Sequence, residues 1–84
     1  MTEQKDFNIE EGKTMILGQI KELSKYISAD DVERIASTTG LTIGTVRQIR
    51  KGQTFNMKAA LMLLEAGREN KTAMEKMIRE AIDG

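Results

Sequence analysis

Apolar residues recur along this chain at intervals of three and four, the period of helices with one face turned to a core. Ile16, Ile20, Leu23 and Ile27 set the first stripe, and Met15 and Tyr26 widen it. Asn8 and Glu11 precede it as a pair suited to capping a helix, although Gly12 and Gly18 weaken those first turns. Ser28 starts a second helix. Asp30 and Asp31 sit against the positive end of its dipole, and Val32, Ile35 and Ala36 form its inner face. Gly40 stops that helix, because it accepts the left-handed conformation other residues resist. Leu41 then returns to the core and Thr42 caps a third helix. Ile43 stands at its start, Val46 and Ile49 point inward, and Gly52 ends it after Lys51.

Residues 56–82 admit two readings. Asn56 caps a stripe of Met57, Ala60, Leu61, Leu64, Met74, Ile78, Ala81 and Ile82 that weakens between Gly67 and Ala73. There Thr72 and Glu75 fit a capping box, which would begin a new helix. However, Met57, Ala60, Leu64, Gly67, Lys71, Met74, Ile78 and Ala81 keep three-four spacing through the weak stretch. That continuity favours one long helix, bent near Gly67. Residues 1–7 carry no period and read as disordered. The pattern therefore predicts an all-α fold, a compact bundle of four to five helices in a single domain over 1–84.

Composition removes several classes of function. The 84 residues contain no cysteine and no histidine, so disulfides, thiolate metal sites, the usual general base and the commonest metal ligand are all missing. No pair of acids sits in an apolar setting that would shift its pKa. The expectation is a protein that is not an enzyme and needs no cofactor, metal or small-molecule ligand. No apolar run reaches the ~18 residues of a membrane span. The first residues, with Glu3, Lys5 and Asp6, lack the apolar segment of a secretory signal, so the chain reads as cytoplasmic.

The net charge of zero conceals a sharp asymmetry. Residues 1–40 carry five basic and eight acidic side chains, a net of −3, and residues 59–84 carry four and five, a net of −1. Residues 41–58 carry Arg47, Arg50, Lys51 and Lys58 and no acid, a net of +4. A basic segment on an otherwise acidic chain favours one orientation toward a polyanion.

The stretch VERIASTTGLTIGTVRQIRK at 32–51 resembles the helix-turn-helix of bacterial and phage repressors, which here would occupy 29–51. Ala36 is small where two helices would cross, Gly40 suits the turn, and Ile35, Leu41, Val46 and Ile49 fill the wedge between them. LTIGTVR at 41–47 is similar to the Lac-repressor-type and resolvase-type versions, in which a hydroxyl residue caps the recognition helix and a Thr-Val pair follows. Two residues depart from the pattern. Thr39 replaces the commoner alanine or larger apolar residue, and Gly44 stands where a base-reading side chain is usual.

The resemblance implies that the helix from Thr42 to Lys51 enters the major groove of double-stranded DNA. Ile43, Gly44, Arg47, Gln48 and Lys51 would face the bases, since Val46 and Ile49 face inward. Arg47 suits guanine O6 and N7, Gln48 adenine N6 and N7, and Ile43 a thymine methyl. Thr42, Thr45, Arg50 and Lys58 suit phosphates.

The function expected is sequence-specific DNA binding by a small repressor-like transcription regulator. The alternative is a protein-interaction module, antirepressor-like or antitoxin-like, that keeps the fold without binding DNA. Plainer readings accompany individual residues. An exposed arginine such as Arg47 is ordinarily a solvated charge. The six methionines read as fillers of core gaps, and Tyr26 and Phe55 as core or hinge packing. The C-terminal stripe reads first as a cover for the core and second as the seam of a weak homodimer, with Lys71 interrupting it.

Overall fold

Each helix starts where a side chain can accept from the backbone amides that its first turn leaves free. In the computed structural model, which describes residues 8–83, the helices are α1 (Ile9–Leu23), α2 (Ala29–Thr39), α3 (Ile43–Arg50) and α4 (Met57–Asp83). No strand occurs among the described residues, and a 3-10 turn at Ser24–Tyr26 tightens the end of α1. The expectation for residues 1–7 lies outside the described residues. Asn8 Oδ1 accepts from the amides of Glu10 and Glu11 at 2.9 and 3.2 Å. Thr42 Oγ1 accepts from the Thr45 amide at 3.0 Å, and Asn56 Oδ1 from the Ala59 amide at 3.0 Å. Ser28 and Asp31 form a reciprocal capping box. The Ser28 hydroxyl accepts from the Asp31 amide at 3.1 Å, and the Asp31 carboxylate accepts from the Ser28 amide at 3.0 Å. Asp31 thus has a specific partner beyond the dipole role its position suggested.

The helix ends follow the glycines. Gly40 has φ 77° and donates its amide to the Ala36 carbonyl at 2.9 Å, closing α2. After α3, Gly52 has φ 82°. Its amide reaches the Ile49 carbonyl at 3.0 Å, and the Gln53 amide reaches the Gln48 carbonyl at 2.8 Å. That pair of bonds is a Schellman motif.

All four helices supply the core. Ile20, Val32, Ile35, Val46, Ile49 and Leu63 are its largest fully buried side chains. Leu17, Leu23, Leu41, Phe55 and Met62 pack against its edge. On α1, Met15 does not widen the inner face. It is 59% exposed, and Leu17 takes the flank instead.

The inner face of α4 differs most from the expected stripe. Ala59, Ala60, Leu63, Leu64, Ala66 and Gly67 are buried, while Met57 and Leu61 are about half exposed. Ala60, Leu64 and Gly67 lie inward as expected, but the packing turns the helix toward Ala59, Leu63 and Ala66 rather than Met57 and Leu61, because α4 lies close against the end of α1. A Cβ built on Gly67 would stand 2.8 Å from Leu23 Cβ and 3.5 Å from Ile27 Cγ1. Gly67 is therefore a close-contact position, and α4 runs as one helix through 67–73.

Two further expectations are corrected. Met15, Met57, Met74 and Met77 are exposed, and among the described methionines only Met62 packs against the core. The C-terminal stripe covers the core only over its first half, where Ala60 and Leu64 are buried, since every residue from 71 to 83 is exposed. The helix of 27 residues, ~40 Å long at ~1.5 Å per residue, outruns the bundle it covers. No helix among the described residues is long and apolar enough to cross a membrane.

Candidate nucleic-acid interface

α3 is short and amphipathic, and its phase is fixed by Val46 and Ile49, both 0% exposed. With those two inward, Gly44, Arg47, Gln48 and Lys51 are exposed, and Ile43 is 39% exposed. Residues four apart lie one above the other on a helix, so Ile43, Arg47 and Lys51 form one row. Gly44 and Gln48 form the row beside it. The five residues expected to face bases therefore share one continuous outer face.

Gly44 leaves a gap in that face. A Cβ added there would meet only Thr42 Oγ1, at 3.9 Å. Packing within the chain does not require a glycine, so the site is open to close approach from outside.

The four residues expected at phosphates divide. Thr42 and Lys58 are exposed. Thr45 is half-buried and its hydroxyl accepts from the Thr42 hydroxyl at 2.9 Å, so the two hydroxyls at the start of α3 are partly occupied by each other. Arg50 is half-buried and turned toward the core side, where its guanidinium lies 3.5 Å from the Ile27 carbonyl oxygen. It is spent in part on holding α3 to the start of α2.

One basic residue escaped the sequence pattern. Lys21 of α1 lines a shallow depression with Thr14, Leu17, Gly18 and Gly52, placing it beside the C-terminal turn of α3. Nothing in the local sequence marks it, because its position depends on α1 packing against α3. Lys13 lies 5.5 Å from the centre of the Phe55 ring, a cation–π contact at the link between α3 and α4. The ion pairs among the described residues are Lys13–Glu10 at 3.8 Å and Arg34–Asp31 at 3.3 Å. Arg47, Lys51, Lys58 and Lys21 have no acidic partner within that set.

A polar clasp ties α2 to α4 and to the turn after α1. Asn70 of α4 donates to the Tyr26 carbonyl at 2.7 Å and to Asp31 Oδ2 at 2.9 Å. The Asp31 carboxylate lies below its ordinary pKa, first because it accepts the Ser28 backbone amide. The Ser28 hydroxyl, Asn70 and Arg34 add to the shift, while partial burial opposes it. Asn70 was not identified from the sequence, since an asparagine in mid-helix carries no signal of a partner 39 positions away.

No charged or polar side chain is buried among the described residues, and no group of three or more acids there could hold a metal ion. What the surface offers is an exposed helix face bearing hydrogen-bond donors and unpaired positive charge. No family model, curated protein or solved structure matches the chain.

Proposed function

We propose that the chain binds double-stranded DNA as a helix-turn-helix, with α3 in the major groove and α2 crossing the phosphates above it, and that it acts as a small transcription regulator. The observation that carries this reading is the outer face of α3. Arg47, Gln48 and Lys51 stand exposed on it, opposite the fully buried Val46 and Ile49, within a segment that contains no acid. Arg47 offers a fork of donors that fits guanine, and Gln48 a donor and an acceptor that fit adenine. Ile43 provides an apolar surface for a thymine methyl, and Gly44 lets the helix approach the base edges closely. Thr42, Lys58 and Lys21 serve phosphates. Arg50 contributes less than its place in the basic segment suggested, because it is half-buried against Ile27.

Selection of bound sequences from a random duplex pool tests the proposal. A short enriched motif that loses one preferred base pair in Arg47→Ala, and keeps its preferences in Lys58→Ala, is the expected result. A pool that shows no enrichment and no retention at low salt favours a protein-interaction module instead.

A further inference from the structure

The part of α4 that leaves the bundle is apolar on one side. Met74, Met77, Ile78 and Ile82 are 47%, 64%, 51% and 77% exposed, and Ala81 lies among them. At ~100° per residue, these five fall on the same side of the helix as Ala60, Leu63, Leu64 and Gly67, which α4 buries against the rest of the chain. The apolar face thus continues in register for three further turns after its intrachain partners end at Asn70. Solvated helix ends ordinarily turn polar all round. Here the opposite side is already polar, with Glu69, Thr72, Lys76 and Asp83.

We infer that this face is covered by the same face of a second copy of the chain, the two α4 helices running antiparallel and crossing between Met77 and Ile78. Charge selects both the occupant and the direction. Lys71 is the one charge inside the apolar stripe. In the antiparallel arrangement it comes level with the end of α4 in the second copy, where the negative end of the helix dipole lies. Run parallel, the same contact would set Lys71 against Lys71. On the flank, Glu75 comes beside Arg79 of the second copy, and Arg79 beside Glu75, two further pairs of opposite sign. Lys71, Glu75 and Arg79 have no ion-pair partner among the described residues of their own chain. Met74 lies opposite Ala81 of the second copy, large against small, so the centre of the contact interdigitates.

The contact is small. Three turns of helix span ~16 Å and bury less than the ~1,200 Å² at which standard specific interfaces begin. The dimer is therefore weak and reversible. Lys71, which interrupts a seam when one chain is considered alone, becomes a direction-setting charge when two are.

Sedimentation equilibrium of the full chain, without DNA and from micromolar to millimolar concentration, tests the inference. A reversible monomer–dimer equilibrium is expected. Ile78→Glu is expected to weaken it by at least about tenfold while leaving thermal unfolding at low concentration unchanged, since Ile78 is half exposed and lies outside the core cluster. A monomer throughout the range, or a dimer indifferent to Ile78→Glu, overturns it.

Direction is read by cross-linking, which the absence of cysteine makes clean. Mixed Met74→Cys and Ala81→Cys chains are expected to form the mixed disulfide on mild oxidation, and Lys71→Cys alone to form none. Preferential Lys71→Cys self-linkage would overturn the antiparallel arrangement. Because no duplex is present, failure here leaves the DNA-binding proposal untouched.

Discussion

Asn70 and Asp31 are joined by a 2.9 Å hydrogen bond across 39 positions of sequence, and the same amide nitrogen donates to the Tyr26 carbonyl at 2.7 Å. One side chain of α4 thereby fixes both the turn that ends α1 and the capping box that begins α2. The orientation of α2, and through it of α3, rests on this clasp as well as on the apolar core. Asn70→Ala leaves a part-buried carbonyl and carboxylate each one donor short. The expected loss is about 1–3 kcal/mol of stability, the range for orphaned polar groups, read by urea unfolding. An unchanged midpoint would show that water replaces Asn70 without cost.

The clasp also gives the protein an acid-sensitive element. The folded pKa of Asp31 is depressed, chiefly by the Ser28 amide, below the ~3.9 of an unfolded aspartate. The folded state therefore binds this proton less readily than the unfolded state. Its contribution to stability is complete above about pH 5 and fades as pH falls through the unfolded and then the folded value. With no histidine in the chain, side-chain titration contributes little between about pH 6 and 8. A melting temperature flat across neutrality and falling below about pH 4.5 is expected, with a shallower fall in Asp31→Asn. Equal acid limbs in the two proteins would remove Asp31 from the account.

Gly67→Ala opposes two effects. Alanine gains up to about 1 kcal/mol in helix propensity over glycine. The added methyl, however, lands 2.8 Å from Leu23 Cβ, an atom next to the backbone that cannot swing aside. Overpacking of this kind costs about 1–3 kcal/mol, so net destabilisation of about 1–2 kcal/mol is expected. A stabilised variant would mean that α4 moves away from α1 freely.

Gly40 and Gly44 should respond in opposite ways although they lie four residues apart. Gly40 holds φ 77°, so Gly40→Val is expected to lose at least about 1–2 kcal/mol. Gly44 is helical and open to solvent, and Gly44→Ala is expected to gain about 0.5–1 kcal/mol. Thermal melts of the two variants give the signs directly. A loss at Gly44 comparable to that at Gly40 would mean that its backbone is constrained in a way α3 does not show.

Local features of the fold were legible in the sequence, and tertiary ones were not. Asn8, Ser28, Thr42 and Asn56 cap helices, and Gly40 and Gly52 close them, because those roles depend on neighbours within a few residues. The phase of α3 was legible because Val46 and Ile49 have no alternative as inward positions, and this also set the outer face of the candidate site. The phase of α4 was legible only in part, for Ala60, Leu64 and Gly67. Leu61 and Leu63 are equally apolar, and only the close approach of α1 at Gly67 decides that Leu63 is buried. The clasp at Asn70, the inward turn of Arg50 and the placement of Lys21 beside Gly52 depend likewise on which helix lies next to which.

If α3 and the residues around it present free positive charge to double-stranded DNA, affinity must fall as salt rises. Lys21 and Lys58 stand exposed for phosphates, Arg47 and Lys51 add charge within the groove, and Arg50 is largely withdrawn, so binding releases about three to four counterions per chain. The slope of log K against log salt should then be about −3 for each bound copy. Affinity of the full chain for a labelled duplex, measured by anisotropy across a salt series, should follow that line. Lys58→Ala should flatten it by about one unit. No retention of any duplex at low salt, or binding that does not change with salt, would rule out this face as a DNA-binding surface.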